Sequence, residues 1–374
     1  MWSHMVKIAL VIGTRPEIIK CAILANTLRE KLGKDFQLWD TGQHYDYNLD
    51  EIFYNEMDIV RPDVNFGIKS GSTAEQLSKI MWHVEHNINL FKPDIIIVVG
   101  DTNSTFGAAY IAKRYCIKLA HIEAGPREYF VNYVNDKPMF FKTEAMLNMA
   151  ENLNRILIDN MADYLFAPTQ MSYDNLLREK LFGEKIFSGD IQYDVLLKFL
   201  PKISQMSFPK QDFNLVTLHR AENTDYKINL VKIMNALIES NETILFPMHP
   251  RTKKKLEEIG KYNDVYNSGN ITICEPMGFF DFTNALRNCK KVFTDSGGVQ
   301  KEAYLLGKPC VTLRTSTGWT DIVMSGSNKI VGSNKKLIIE ELKSTATFIS
   351  NNKNIYGNGK ATEKIIKYLM SDKK

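Results

Sequence analysis

Carboxylates, histidines and arginines recur in this chain at one kind of place, just past short apolar runs. Asp101 and Glu123 follow runs at 94–99 and 118–122, and His219 and His249 follow runs at 215–218 and 244–247. Asp295 follows 292–294, Arg314 ends the run 308–314, and Arg15 and His44 stand just past 6–12 and 36–40. Apolar runs of this length read as buried strands, and in a parallel sheet the carboxyl ends of the strands are where ligands bind. The chemistry divides by half. The first half offers the carboxylates Asp101, Glu123 and Glu151 with Arg15 as counter-charge, and carboxylates clustered together raise one another's pKa, which suits proton exchange near neutral pH. The second half offers an anion site: Ser296-Gly297-Gly298 opening a helix, with His219, His249, Arg251 and Arg314, and with Glu302 placed to accept hydrogen bonds from a ribose. Taken alone, Ser296-Gly297-Gly298 is an ordinary capped strand-to-helix turn; its recurrence with the other strand-end groups is what suggests a cleft for an anionic ligand.

These residues need a scaffold of strands alternating with helices, that is, α/β architecture with doubly wound parallel sheets. The chain has 374 residues, too many for one core, and the strand–helix pattern restarts after 201–209, read as a linker. The expected domains are 5–200, with a C-terminal helix at 355–374 packing back on it, and 201–354. Residues 128–148, rich in aromatics, Asn and Lys, read as an irregular insert. Hydrophobic content of 44% and charged content of 24% are ordinary for a globular protein, and a net charge of +4 permits an anionic ligand without indicating nucleic acid. Met1-Trp2-Ser3-His4 reads as a remnant ahead of Met5, and no run is long enough to span a membrane. The five scattered cysteines form no metal or redox motif and point to reduced thiols and the cytoplasm. The carboxylates match no metal-site spacing, and the chain lacks both G-x-G-x-x-G after the first strand and a Walker-type loop; neither metal nor nucleotide cofactor is expected.

The short polar segments carry a resemblance. Gly13-Thr14-Arg15-Pro16-Glu17, Thr41-Gly42-Gln43-His44, Gly100-Asp101-Thr102, His121-Ile122-Glu123-Ala124-Gly125, Asn154-Arg155, His219-Arg220-Ala221-Glu222-Asn223, His249-Pro250-Arg251 and Thr294-Asp295-Ser296-Gly297-Gly298 with Glu302 run in collinear order over 7–332. Together they resemble the non-hydrolysing UDP-N-acetylglucosamine 2-epimerases. The resemblance implies two Rossmann-like domains facing across a cleft (a glycosyltransferase-B-like fold), a UDP-sugar as substrate, a homodimer, and no metal or nicotinamide. It implies Asp101, Glu123 and Glu151 as acid/base carboxylates, Arg15 and His219 beside the departing diphosphate, Ser296, Gly297 and Gly298 on phosphate and Glu302 on ribose.

Three stretches depart from the family pattern. Ala150-Glu151-Asn152 stands where Pro-Glu-Glu is usual, the segment 126–150 is long, and Gly318-Trp319-Thr320-Asp321 replaces an Arg-Pro-Glu-type end. Tyr45-Asp46 also differs from members activated by a second substrate molecule. The segments Thr217 to Asp225 and Lys301 to Tyr304 look closer to the branch acting on UDP-2,3-diacetamido-glucuronic acid, which stands as a second substrate. A hydrolysing 2-epimerase, a glycosyltransferase of the same fold and a non-catalytic UDP-sugar sensor are the competing readings. If the insert covers the sugar, its deletion should harm turnover more than UDP affinity.

Overall fold

The computed structural model describes residues 6–42, 53–209, 212–345 and 354–371; His44, Gln43, Tyr45 and Asp46 lie outside the described residues, as do the chain's first five and last three. Along the chain the strands are β1 (Ile8–Ile12), β2 (Phe36–Asp40), β3 (Val64–Asn65), β4 (Ile95–Val99), β5 (Lys118–Ile122), β6 (Tyr129–Val134), β7 (Lys137–Phe141) and β8 (Tyr164–Ala167). They continue as β9 (Glu184–Phe187), β10 (Asn214–Thr217), β11 (Ile244–Pro247), β12 (Ile271–Cys274), β13 (Val292–Thr294), β14 (Cys310–Thr312), β15 (Ser316–Thr317) and β16 (Asn328–Ile330).

The chain divides into two compact units, each with its own sheet and core. The first comprises Met1–Arg127, Glu144–Lys198 and Asn354–Lys374. Its sheet runs β3-β2-β1-β4-β5-β8-β9, parallel throughout. Every residue of β1 and β4 is buried, as their unbroken Ile/Val/Leu/Ala composition requires of strands covered on both faces. Strand order reverses beside β1, so the loops leaving β1 and β4 part at that point and open a crevice above it. Helix Ala361–Ser371 belongs to this unit: Ile365, Ile366 and Leu369 are buried, and Asp194 accepts the N–H groups of Ala361 (3.1 Å) and Thr362 (2.7 Å) at its start.

The second unit comprises Glu128–Thr143 and Phe199–Lys353. Its main sheet runs β12-β11-β10-β13-β14-β16, again parallel, with the order reversing at β10 and β13. The division between units falls inside helix Ile191–Ser204, so the stretch read as a linker begins as that helix's last turn, with Pro201 within it.

The stretch 128–148 is not irregular. β6 and β7 form an antiparallel hairpin joined by Asn135 (φ 50°) and Asp136 (φ 60°), the two positive-φ positions of a type I′ turn. It groups with the second unit, not with the first domain in which 5–200 had placed it, because β6 adds antiparallel to β15 with Phe130 opposite Ser316 and Tyr129 opposite Thr317. Val131 packs with Val323 and Ile330, and the Ile330 N–H donates to the Tyr133 hydroxyl at 2.9 Å. Residues Glu144–Asn148 then form a 3-10 turn of the first unit.

Candidate active site

In the first unit the loops at the strand-order reversal carry Arg15 and Asp101. Gly13 closes tightly against Ser104 and Thr41: a β-carbon there would stand 2.1 Å from the Ser104 hydroxyl oxygen and 2.2 Å from that of Thr41. Asp101 and Glu123 are brought together by a residue not singled out for the site, Arg155. From the buried face of helix Ala150–Met161 it donates to Asp101 Oδ2 at 2.5 Å, to Glu123 Oε1 at 3.2 Å and to the Glu123 carbonyl. Asn154 beside it donates to the Asp101 carbonyl at 3.0 Å. Glu151 stands one turn earlier on the same helix and is exposed; positions three and four apart share a face, so it lies on the side that carries Asn154 and Arg155. The same spacing could have found Arg155 in the sequence. Lys20, from helix Arg15–Leu32, completes the cluster at 2.9 Å from Glu123 Oε2. Arg15, the first residue of that helix, lays its guanidinium 5.2 Å over the ring of Phe53.

The electrostatics differ from the mutual repulsion expected of three carboxylates. A guanidinium sits between Asp101 and Glu123, and an ammonium flanks Glu123. Burial alone would pull the Lys20 ammonium down, but the charge and hydrogen bond of Glu123 outweigh it and hold Lys20 above the ordinary lysine range. Arg155, likewise buried, is held charged by Asp101 and Glu123. The carboxyl that is pushed up is Glu17, to about 7: burial raises it, opposed by hydrogen bonds from Thr102 and the Gly13 and Thr14 N–H groups and by the charge of Lys20. Glu17 accepts from Gly13 N (2.7 Å), Thr14 N (3.0 Å), Thr102 Oγ1 (2.9 Å) and Thr105 Oγ1 (3.3 Å), and so ties the Arg15 loop to the Asp101 loop.

Behind the carboxylates lies a buried polar hub. His121 is fully buried and both ring nitrogens face acceptors, the Gly100 carbonyl and Asp159 Oδ1, each at 2.7 Å. Asp159 also accepts from the Gly125 N–H (3.1 Å) and from Arg127 (2.7 Å), which forks onto Glu179 at 2.8 and 2.6 Å. Burial alone would raise Asp159, but His121 and Arg127 hold it below the usual carboxylate value. One ring and one carboxylate thereby join the residue before Asp101, the strand before Glu123 and the helix carrying Arg155. Glu123 itself sits in left-handed backbone (φ 67°), a conformation costly for a residue with a β-carbon, with its carbonyl held by Arg155.

In the second unit the loops after β10 and β13 meet through Asp295, which is fully buried. Its carboxylate accepts the N–H groups of His219 (3.1 Å) and Arg220 (2.9 Å) and the Asn223 amide (3.2 Å). Asp295 therefore shapes the loop that presents His219. The His219 ring lies 5.6 Å from that of His249, and its pKa is lowered by burial, against the pull of Asp295 and with Arg220, Arg251 and Arg314 adding to the depression. Helix Gly297–Leu305 starts at Ser296, whose side chain makes no cap, so the first-turn N–H groups of Gly297 and Gly298 stay open at its N-terminus. Glu302 is four residues past Gly298, on the same face and half-buried.

The three remaining residues read as anion binders carry other duties as well. His249 Nδ1 accepts the Arg251 N–H at 3.1 Å, capping helix Pro250–Glu258. Arg251 donates to Thr224 (3.0 Å) and Asp225 (2.6 Å). Arg314 is held by Glu222 and, at 2.9 Å, by Glu128 at the foot of the hairpin, so an anion would meet it only together with these carboxylates. Among the described residues no cluster of His, Cys, Asp or Glu has the arrangement of a metal site, and no helix is long and apolar enough to cross a membrane.

The family model described as UDP-N-acetylglucosamine 2-epimerase matches residues 26–370. A UDP-N-acetylglucosamine 2-epimerase of Methanocaldococcus jannaschii is 38% identical over 378 residues, covering 97% of this chain and 98% of that protein. The UDP-2,3-diacetamido-2,3-dideoxy-D-glucuronate 2-epimerase of Pseudomonas aeruginosa is 35% identical over 372 residues, covering 97% and 99%. The crystal structure of the M. jannaschii enzyme in complex with UDP-GlcNAc and UDP superposes with a TM-score of 0.86 at 35% identity, over 98% of this chain and 100% of that one. With its two Rossmann-like sheets and the family model matched over most of its length, the chain belongs to the UDP-N-acetylglucosamine 2-epimerase family.

Proposed function

We propose that this protein is an isomerase that inverts C2 of a UDP-2-acetamido sugar, interconverting UDP-N-acetylglucosamine and UDP-N-acetylmannosamine for polysaccharide precursor synthesis. The observation that carries the reading is the Arg155-bridged pair of Asp101 and Glu123 at the strand-order reversal of a chain in this family. One carboxylate removes the C2 proton while the C1–O bond to UDP breaks, leaving a glycal and free UDP within the site. A carboxylate then returns a proton to C2 from the opposite face as the UDP oxygen re-forms its bond to C1. Asp101, Glu123 and Glu151 share the proton transfers. Arg15 and His219 stabilise the departing diphosphate, the Ser296-Gly297-Gly298 turn with His249, Arg251 and Arg314 holds the nucleotide's anionic part, and Glu302 holds the ribose.

Incubation with UDP-N-acetylglucosamine in D₂O tests this: deuterium accumulates at C2 of both epimers while free UDP stays low. Lack of exchange in any UDP-2-acetamido sugar would falsify it, and stoichiometric UDP would indicate the hydrolysing relative. The 35% identity to the P. aeruginosa enzyme supports a second substrate, UDP-2,3-diacetamido-glucuronic acid, which belongs in the same panel. The protein works as a cytoplasmic homodimer in this reading. Exposed Trp82, Tyr110, Leu153 and Leu157 on three helices packed side by side support the dimer, and the unpaired cysteines support a reducing compartment. Light scattering on the purified protein, giving twice the chain mass or not, decides the oligomer.

A further inference from the structure

Two of the stretches that depart from the family pattern are far apart in sequence and adjacent in the second unit. β15 is the joint. On one side it pairs with β6, and Glu128, at the base of the hairpin, accepts from the Ser316 hydroxyl (2.7 Å) and from Arg314 (2.9 Å). On the other side the Thr317 hydroxyl donates to Gln300 Oε1 at 2.9 Å, which also accepts from the Asn328 amide at 3.1 Å. Gln300 is fully buried on helix Gly297–Leu305, one turn past Ser296. The Trp319 N–H donates back to the Thr317 hydroxyl at 3.1 Å, which fixes the indole that follows.

The indole is seated against the anion turn itself. A β-carbon on Gly297 would stand 3.0 Å from Trp319 Nε1, so the space that any other side chain would need at Gly297 is taken by the indole edge. The Lys301 ammonium lies 4.4 Å from the Trp319 ring centroid, and Lys301 is fully buried on the first turns of the same helix. An ammonium over an indole face with little water nearby is an attractive contact, and rotating the turn would break it. A continuous set of contacts thus runs from hairpin to β15, to Gln300 and Trp319, and to the open N–H groups of Gly297 and Gly298.

We propose that hairpin 129–141, β15 and Trp319 form one positioning element for the Ser296-Gly297-Gly298 turn, with Trp319 the residue that fixes the direction of the turn's N–H groups and hence the affinity for the diphosphate of a uridine nucleotide. The proposal rests on the nucleotide reading above and gives the insert a different task from covering the sugar. Calorimetric titration with UDP tests it. Trp319→Ala should weaken UDP at least tenfold and Thr317→Val about threefold, both with wild-type unfolding transitions. A UDP dissociation constant within twofold of wild type in a folded Trp319→Ala protein overturns the proposal. Should that variant not fold, the wild-type chain decides. The Trp319 indole N–H, one of four tryptophan signals in a ¹⁵N spectrum, must shift on saturation with UDP and is recognised by its loss in Trp319→Phe or by elimination against Trp2, Trp39 and Trp82 variants. A signal that stays put overturns the proposal as well. Failure of the wild-type protein to bind UDP removes the nucleotide reading and this inference together; wild-type binding with an indifferent Trp319 removes this inference alone.

Discussion

The two units use the same place in the same kind of sheet for opposite electrostatic tasks. In the first, charges meet charges: buried Arg155 and part-buried Lys20 pair with Asp101 and Glu123, and a buried set, His121, Asp159 and Arg127, stands behind them. In the second, the Ser296-Gly297-Gly298 turn offers backbone N–H groups beside a histidine whose proton affinity is depressed, while Arg251 and Arg314 are tied to carboxylates. Under the proposed function the difference follows from the chemistry. Proton transfer at carbon needs a base fixed in direction, and fully paired buried charges have little freedom to move. A leaving diphosphate needs donors that face outward and cost no reorganisation, which a helix N-terminus supplies.

The largest expected effect separates the two regions outright. Asp101→Asn removes a carboxylate to which the proposed function gives a proton transfer, and should lower kcat by about 100- to 10,000-fold while leaving UDP affinity within about threefold. Steady-state kinetics with calorimetry read this, and equal losses in both would erase the division of labour. Next comes the packing of the charges. Arg155→Met leaves Asp101 without its guanidinium and Glu123 with Lys20 alone, and should cost about 1–3 kcal/mol in a denaturant titration. A cost below about 1 kcal/mol would mean that water, not Arg155, balances them.

Glu17 sharpens the contrast through pH. Its folded pKa of about 7 lies above the ordinary 4.5. Protonation in the folded state therefore favours folding fully below the ordinary value, and that contribution is lost as pH rises through 7. Relative to Glu17→Gln, the wild type should lose roughly 3 kcal/mol between pH 4.5 and pH 8, from about 1.4 kcal/mol per pKa unit. Parallel stability curves for the two proteins would show Glu17 to be ordinary. The smallest effect concerns His219. With its pKa lowered, it gains a proton only at more acidic pH than an ordinary histidine, so as pH falls UDP binding by the wild type should gain relative to His219→Ala. Replacement by Ala should remove about tenfold or less of that gain, and an unchanged pH profile would take His219 out of the anion site.

Much of this was legible because buried parallel strands are short, mostly apolar runs. β2, β5, β8, β11 and β12 begin and end where composition changes, and the polar residues after them mark the site. What escaped did so for identifiable reasons. β3 and β15 are two residues long and gain their pairing from neighbours, so no local pattern announces them. The hairpin lies partly exposed on both faces, which blurs alternation, although Asn135-Asp136 was a turn signal of the right kind. Arg155 and Glu17 stood in the resembling segments without a role, because strand ends do not reveal them, although helix spacing places Arg155 four residues after Glu151; Lys20, five after Arg15, carries no such signal. The expectation for the carboxylate trio counted acids alone, whereas the structure sets Arg155 between Asp101 and Glu123 and Lys20 beside Glu123.

The hairpin's membership in the second unit, and that of Ala361–Ser371 in the first, means that both units are assembled from separated lengths of chain. As the polypeptide leaves the ribosome, neither can finish in turn. The first lacks its closing helix until the last residues emerge, and 128–143 must wait for β15 to be made. A fragment spanning 199–345 would begin life with the edge of β15 uncovered and Val323 and Ile330 missing their cover of Val131. Dissecting this protein into halves by a cut at one peptide bond is therefore the wrong experiment; a permuted or co-expressed pair respects how the chain is threaded.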